Sequence, residues 1–328
     1  MRPVQKSRKA RAVRLLTGAP IPAGVDAVVP EEACDVSRGT VLVLKKVAAG
    51  ANIRRHGEDA PPGSVIVEKG TRIDARHLAI LAASGVFRLA VRRRVRVGLL
   101  SVGDELRPAG EELAPGQIHD ANEPMLRALL AAAPVDIVAL GLQRDDRASL
   151  ARLFGEMAGK VDILLSSAGV SGSDADHVAA AVADAGGQAR IFKLALKPGK
   201  PLLAALLGTT PMIGLPGNPV AALVNFMLFA RPLINARAGM PAARPRGHPV
   251  IAAEPIAHDA GRNDFVPARI VGRTTDGHAR VAALRPAGAA RLRPLVMADG
   301  LIEISADRGS VAAGEMVEFH AFHAAISA

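Results

Sequence analysis

VDILLSSAGVSGSDADHVAAAVADA, residues 161–185, reads as a strand, a loop and a helix in succession. Val161–Ser167 is a short apolar run, as expected of a strand buried on both faces. Asp176–Ala185 has a helical pattern, and the Gly-, Ser- and Asp-rich Ala168–Asp176 between them has loop composition. The same alternation extends in both directions. Upstream lie strand Val95–Ser101, helix Glu123–Ala133, strand Val135–Leu140 and helix Arg147–Gly159. Downstream lie strands Ala189–Leu196, Leu202–Leu206 and Pro211–Leu215, then a helix at about 219–236. Strands alternating with helices of this length predict βαβ units. Residues 95–243 are therefore expected to form an α/β domain whose central, mostly parallel sheet carries helices on both faces, within a multidomain chain.

The flanking sequence differs. Residues 15–63 are expected to be a β-rich domain, with short apolar runs at Asp26–Val29 and Val41–Val47 set between Gly/Pro turns. Residues 64–94 open on a further β-like run, Ser64–Val67, and continue as a helical linker domain. There residues 72–86 (RIDARHLAILAASGV) predict a helix with Asp74 as N-cap and Gly85 just past its end. Pro241–Pro249 (PAARPRGHP) is a linker by composition, and residues 244–328 predict a small all-β, barrel-like domain with turns at Asp276-Gly277 and Asp299-Gly300.

The 328 residues carry 41 Lys+Arg and 31 Asp+Glu, a formal charge of +10. That excess is local: residues 1–14 carry +6, residues 15–96 +5, residues 97–243 −2 and residues 244–328 +1. Residues 1–14 read as a solvated basic tail. Nucleic-acid binding through the basic first third is the weaker reading, because the chain has no Trp or Tyr on which bases would stack. A single cysteine, Cys34, excludes an intrachain disulfide framework and any multi-cysteine metal site, and fits a reducing cytoplasm. Pro201–Ala230 is free of charge over a length that would span a bilayer. Six Gly and Pro residues interrupt it, so it is read as buried strands, a turn and a core helix, with no membrane association.

Ligands of an open α/β sheet bind outside the carboxyl ends of its strands. Four loops qualify here: Gly103-Asp104-Glu105, Arg144-Asp145-Asp146, Ala168–Asp176 and Pro216-Gly217-Asn218-Pro219. A Gly/Ser loop running into a helix offers free N–H groups to a phosphate. Carboxylates nearby would repel that phosphate unless a hard cation such as Mg²⁺ lies between them. Lys197 and Lys200, in KPGKP, add positive charge against the same anion. Taken singly, an Asp at a helix start is more simply a cap and Pro-Gly-Asn-Pro a turn; the convergence of the loops is what suggests a site. No GxGxxG is present, KPGKP is not a Walker A loop, and GVSGS misses the GxSxG elbow by one residue. His320 and His323 have i, i+3 spacing but lie in a strand context that argues against metal ligation.

At these loops the chain resembles the molybdopterin molybdenumtransferase family (MoeA, and the E domains of gephyrin and its plant counterpart). The matching stretches are RLLTGAP (14–20), NIRRHGED (52–59), SVGDEL (101–106), DANEPM (120–125), Arg144–Asp146, Ser167–Asp176, KLALKPGKP (193–201), IGLPGNPV (213–220) and ADGL (298–301). The resemblance implies insertion of molybdate into adenylylated molybdopterin with release of AMP, in the presence of Mg²⁺ or another divalent cation. It marks Thr17, Asp59, Glu105, Asp145 and Asp176 as the functional polar residues, with Glu105, Asp145 and Asp176 positioning the pterin nucleotide and the metal. It further implies cofactor contacts from Gly103, Asp104, Asp120, Asn122, Gly169 and Ser171. Gly217, Asn218 and Arg262 extend that set, and Lys197 and Lys200 hold phosphate or molybdate. It implies a homodimer in which Thr17 and Asp59 serve the neighbouring subunit's site, and a molybdopterin adenylyltransferase as the upstream donor of substrate.

Some positions depart from the family pattern. The resemblance leads us to expect an Asp-Asn-Ser-x-x-Asp-Gly-Tyr-Ala-like segment upstream of Arg14, so the N-terminal domains are expected to be remnants lacking one acidic site residue. Ala221 stands where the family has Ser, and Gly288-Ala289-Ala290 where it has a Gly-Ser-Gly-like turn. Two hydroxyls that would hold molybdate are thereby lost. The alternative expectation is a degenerate paralogue that binds the pterin nucleotide, or serves as a scaffold, without inserting the metal.

Overall fold

The structure, a computed structural model, describes residues 11–169, 177–284 and 291–322. Ser171 and Asp176 of the expected site lie outside the described residues, as do Gly288-Ala289-Ala290, His323 and most of the basic tail. Two compact units emerge, one reaching Lys69 and adding Ile73–Arg88, the other made of Gly70–Arg72 and everything from Leu89 onward.

Among the described residues of the first unit the regular β structure is one hairpin, β1 (Cys34–Ser37) against β2 (Thr40–Val43). It turns through Arg38 and Gly39, both at positive φ, which matches the twist of the strands they join. The runs Asp26–Val29 and Ser64–Val67 are not strands. The first makes two backbone hydrogen bonds to a loop, from Gly50 N–H to the Asp26 carbonyl and from Val28 N–H to the Ala51 carbonyl, too few for a ladder. At the second, Ser64 N–H closes a turn on the Pro61 carbonyl. Helix α1 (Ala75–Ala83) starts where its cap dictates: the Asp74 carboxylate accepts from the Arg76 and His77 N–H groups. The Arg76 guanidinium, hydrogen-bonded to that carboxylate, holds it well below the usual carboxylate range. Gly85, at φ +76°, ends the helix.

The second unit begins with β3 (Val95–Val102), a short parallel pair β4 (Leu106–Arg107) and β5 (Ile118–His119), and helix α2 (Asn122–Ala131). It continues through β6 (Val135–Gln143), α3 (Arg147–Met157), β7 (Ile163–Ser167), α4 (His177–Asp184), β8 (Gln188–Lys193), β9 (Leu196–Lys197), β10 (Pro201–Leu207) and β11 (Thr210–Leu215). A 19-residue helix, Pro219–Arg237, follows as α5 (Pro219–Asn225), a π-helical turn (Phe226–Ala230) and α6 (Arg231–Arg237). The central sheet has the order β6-β3-β7-β11-β10-β8; its first four strands are parallel and β10 runs against both of its neighbours.

Alternate residues divide between two cores, as the pleat requires. Val97, Leu99, Ile163 and Leu165 pack with Leu126, Leu130, Leu223 and Phe226 on one side. Leu100, Val102 and Leu164 pack with Phe154, Val178 and Val182 on the other. Each such side chain contributes about 1.5–3 kcal/mol by leaving water. Although Pro219–Arg237 is apolar and long enough to cross a bilayer, residues 220–227 are all buried in this fold, so it is a core helix.

The C-terminal strands are β12 (His248–Ala252), β13 (Asn263–Arg273), β14 (Ala279–Ala283), β15 (Gly300–Ile304) and β16 (Met316–Ala321), with helix α7 (Leu292–Met297) before β15. Their order, β14-β12-β16-β15-β13, closes because the long β13 also pairs with β14, making a barrel. A register shift between Ile270 and Gly272 lets one strand serve both partners. The expected turn at Asp276-Gly277 joins β13 to β14. Gly300 instead opens β15, where a Cβ would collide with the His320 carbonyl.

The expected strand Ala189–Leu196 is split. β8 ends at Lys193, Leu194 N–H turns back to the Lys200 carbonyl, and Leu196–Lys197 (β9) joins β13 of the barrel in parallel. The buried Leu196 packs in the same core as Phe265 and Leu301 of the barrel, which favours leaving the central sheet.

One ion pair braces the entry into β3. Asp162 accepts from both terminal nitrogens of Arg93 (2.5 and 2.6 Å) and from Arg96 N–H. The Arg93 hydrogen bonds outweigh partial burial and hold the Asp162 carboxyl down at about 2. A carboxylate held low binds a proton less readily folded than unfolded, so its stabilisation is present above about pH 4 and fades as pH falls through 2. Arg93 is largely exposed, so screening reduces the effect. Asp162→Asn should cost about 1 kcal/mol in urea unfolding at pH 7, with the gap to the parent protein closing as pH drops from 4 toward 2.

Candidate active site

Strand direction places the expected loops together. β3, β6, β7 and β11 end at one edge of the sheet, with Ser101 beside Ser167, Val102 beside Gln143 and Leu215 beside Ser167. β10 starts at that edge, Pro201 beside Lys193, which brings the Lys197–Lys200 loop there as well.

After β3, Gly103 N–H donates to the Gln143 carbonyl and tethers this loop to the next. A Cβ at Gly103 would lie 2.8 Å from Glu105 Oε2, so the absent side chain lets the exposed Glu105 carboxylate fold over the backbone. Asp104 Oδ1 meets Arg144 Nε at 3.4 Å, an exposed pair spanning the loops after β3 and β6. Asp145 is half-buried in the second of these loops. Its neighbour Asp146 caps α3 by accepting from Ser149 N–H, and hydrogen bonds from the Ser149 side chain first and then its N–H hold the Asp146 carboxyl below the usual range.

Several residues expected to touch cofactor have structural partners. Asp120 Oδ1 accepts from the N–H groups of Asn122 and Glu123 and starts α2. Asn218 caps α5 through the Val220 and Ala221 N–H groups, with Pro219 as the first helical residue. Asn122 is buried, and its amide nitrogen donates to Ser167 Oγ (2.6 Å) and the Gly217 carbonyl (2.8 Å), clamping α2 to the ends of β7 and β11. Gly169, at φ +70°, sits so close to Val178 that a Cβ would collide with it. Gly217 is exposed at the mouth of its turn. Three helices thus begin at this edge with their positive dipole ends directed toward it, although at α2 and α5 the first N–H groups are taken by Asp120 and Asn218 and Pro124 and Pro219 have none.

Arg262 is exposed just before β13, next to Asn263, whose N–H donates to the Ala195 carbonyl. Lys197 forms an ion pair with Asp264, while Lys200 is exposed. Gly199, at φ +112°, packs against the buried Asn225, whose side chain donates to the Gly199 carbonyl. Thr17 and Asp59 belong to the other compact unit, where Asp59 pairs with Arg54. His320 is buried, and its Nε2 contacts Glu303 Oε2 at 2.8 Å. Burial pushes the Glu303 carboxyl up, but His320 and Arg244 together outweigh it and hold it below the usual range. No group of three or more His, Cys, Asp or Glu suited to a metal occurs among the described residues.

Comparison with known proteins follows the same divisions. Residues 1–85 match the family model of the MoeA N-terminal region (domain I and II), residues 98–236 a probable molybdopterin binding domain, and residues 249–322 the MoeA C-terminal region (domain IV). A Haemophilus influenzae protein named molybdopterin molybdenumtransferase is 34% identical over 314 residues, which are 95% of this chain and 77% of that protein. The chain belongs to the molybdopterin molybdenumtransferase (MoeA) family. A Mycobacterium tuberculosis relative, molybdopterin molybdenumtransferase 2, is 35% identical over 94% of this chain and 76% of its own length. Among solved structures, the molybdopterin biosynthesis MoeA protein from Pyrococcus horikoshii OT3 superposes with a TM-score of 0.73 at 25% identity, covering 93% of this chain and 74% of that one.

Within this MoeA-family edge, reading the sequence missed Asp264, the Ser167 acceptor and Asn225. Nothing local signals them, since each partner lies on a distant element. Asn122→Ala should cost about 2–4 kcal/mol, because Ser167 Oγ and the Gly217 carbonyl lose a buried donor. Chemical denaturation measures it, and a loss under 1 kcal/mol would mean that the clamp is not structural.

Proposed function

We propose that this chain inserts molybdate into adenylylated molybdopterin with release of AMP, as a transferase of molybdenum cofactor biosynthesis. The supporting observation is the gathering, on one sheet edge, of the carboxylates Glu105 and Asp145, three helix N-termini and the Lys197–Lys200 loop. Positive helix ends and lysines suit the phosphates of a nucleotide. Glu105 and Asp145, on loops of adjacent strands, supply the oxygen donors that Mg²⁺ takes when one or two carboxylates share it with substrate phosphates. The cation, when bound, would neutralise charge on the phosphate that leaves as AMP. Gly103 lets Glu105 lie close to the backbone, Gly217 leaves the turn open, and Lys200 and Arg262 are exposed to meet anions.

In the same reading Asp176 completes the carboxylate set and Ser171 adds a hydroxyl. The chain works as a homodimer, with Thr17 and Asp59 serving the second subunit's site. It operates in a reducing cytoplasm and receives its substrate from a molybdopterin adenylyltransferase. Ala221 favours the degenerate alternative, because it is buried and has no hydroxyl to offer molybdate.

With Mg²⁺ and molybdate, the purified protein should convert adenylylated molybdopterin to cofactor and AMP. Glu105→Gln should lower turnover about 10- to 100-fold without altering the unfolding midpoint, and EDTA should abolish turnover until Mg²⁺ is restored. Binding without AMP release would identify the degenerate paralogue. Mixing Asp59→Asn with Glu105→Gln protein should recover part of the activity if the site is shared between subunits.

A further inference from the structure

Lys197 is held by a buried carboxylate that comes from the barrel. Its Nζ lies 3.4 Å from Asp264 Oδ2; the lysine side chain is 42% exposed and the aspartate side chain 5%. The backbone fixes this pairing. β9 and β13 run parallel with Lys197 opposite Asp264, and the Asn263 N–H to Ala195 carbonyl bond continues the ladder. Behind the carboxylate, His258 Nδ1 stands 3.7 Å from the same oxygen, with its side chain 1% exposed. Its Nε2 lies 3.2 Å from the Ser305 carbonyl, which only accepts, so that nitrogen carries the hydrogen.

The two ends of the pair differ in what they can do. A carboxylate removed from water requires opposite charge and hydrogen-bond donors to remain ionised. The ammonium has three donors, and about two-fifths of its side chain faces solvent, so it can keep Asp264 and still meet an incoming anion. Lys200, on the same loop, makes no ion pair among the described residues, so its position is not fixed in this way.

We propose that Asp264 is a positioning residue: it anchors Lys197 at the sheet edge so that the exposed side of the ammonium meets a tetrahedral oxyanion of the substrates. This rests on the function proposed above. The oxyanion is the nucleotide phosphate or molybdate. Asp264 touches neither, and acts only through Lys197.

The test uses the full chain. Asp264→Asn should raise the KM for adenylylated molybdopterin or for molybdate about tenfold while kcat stays within about twofold, and Asp264→Glu, which keeps the charge, should fall between. A second readout does not need turnover. Acetic anhydride labelling, mapped by peptide mass spectrometry, should acetylate Lys197 several-fold faster in Asp264→Asn than in the parent, normalised to Lys200. AMP or molybdate, added separately, should protect Lys197 in the parent and not in the variant, and the one that protects names the oxyanion. An unchanged Lys197 to Lys200 ratio, or equal protection in parent and variant, would overturn the inference. If Asp264→Asn does not fold, Asp264→Glu carries the same comparison. Should the parent release no AMP, the proposed function fails, while Asp264-dependent protection of Lys197 would still support the positioning role.

Discussion

Four neighbouring strands of the central sheet, β6, β3, β7 and β11, are parallel, and helices cover both of their faces. That constraint organises everything functional in the second unit. A parallel strand needs a crossover before the next can begin, so each strand must end in a loop on the same side. The loops at Gly103–Glu105, Arg144–Asp146, Ala168–Gly169 and Pro216–Asn218 share an edge for that reason. Each is also the start of a helix or leads toward one, so the positive dipole ends of α2, α3 and α5 gather at that edge. An anion-accepting surface follows from topology before any side chain is considered.

The side chains then sharpen that surface through opposed demands. The domain carrying the edge is net −2, so overall charge does not draw a nucleotide there. Local arrangement must do so. Asp120, Asp146 and Asn218 are spent on helix starts, where their oxygens answer N–H groups that would otherwise lack partners. Glu105 starts no helix, and carboxylates beside a phosphate are tolerable only with a cation between them.

Much of this was legible in the sequence. Val97–Leu100 and Ile163–Leu165 are apolar runs because both faces of those strands are buried there. Asp74 sits immediately before a helix and caps it as its sequence position predicts, whereas Asp120 and Asn218, expected as cofactor contacts, are found accepting from the first N–H groups of α2 and α5. What could not be read is whatever depends on a distant partner. Asn122 looks like a ligand-facing residue at a helix start, and only the tertiary fold shows its amide turned inward to Ser167 and Gly217. Asp26–Val29 looks like a strand, yet pairing needs a neighbour, and the loop at Gly50–Ala51 offers two hydrogen bonds in place of a ladder. The departure of Leu196–Lys197 from the central sheet is equally invisible, since the run Ala189–Leu196 is uniform in pattern.

That departure changes how the barrel should be understood. A C-terminal β domain joined by a Pro-rich linker would ordinarily be an appendage, free to be remodelled without consequence for chemistry elsewhere. Here β9 belongs by sequence to the site loop and by hydrogen bonding to the barrel, and Leu196 packs with Phe265 and Leu301 in the main core. The barrel therefore sets the height at which KPGKP crosses the sheet edge. Because β13 is shared between β14 and β15, a change in barrel closure would be transmitted to Asp264 and hence to Lys197. The register shift at Ile270–Gly272 lies on the β14-facing half of that strand, away from Asp264, so the irregularity needed to close the barrel is kept apart from the segment that must hold a charge in place. A domain with no residue among the edge carboxylates thus contributes the rigid backing against which one cation of the site is fixed.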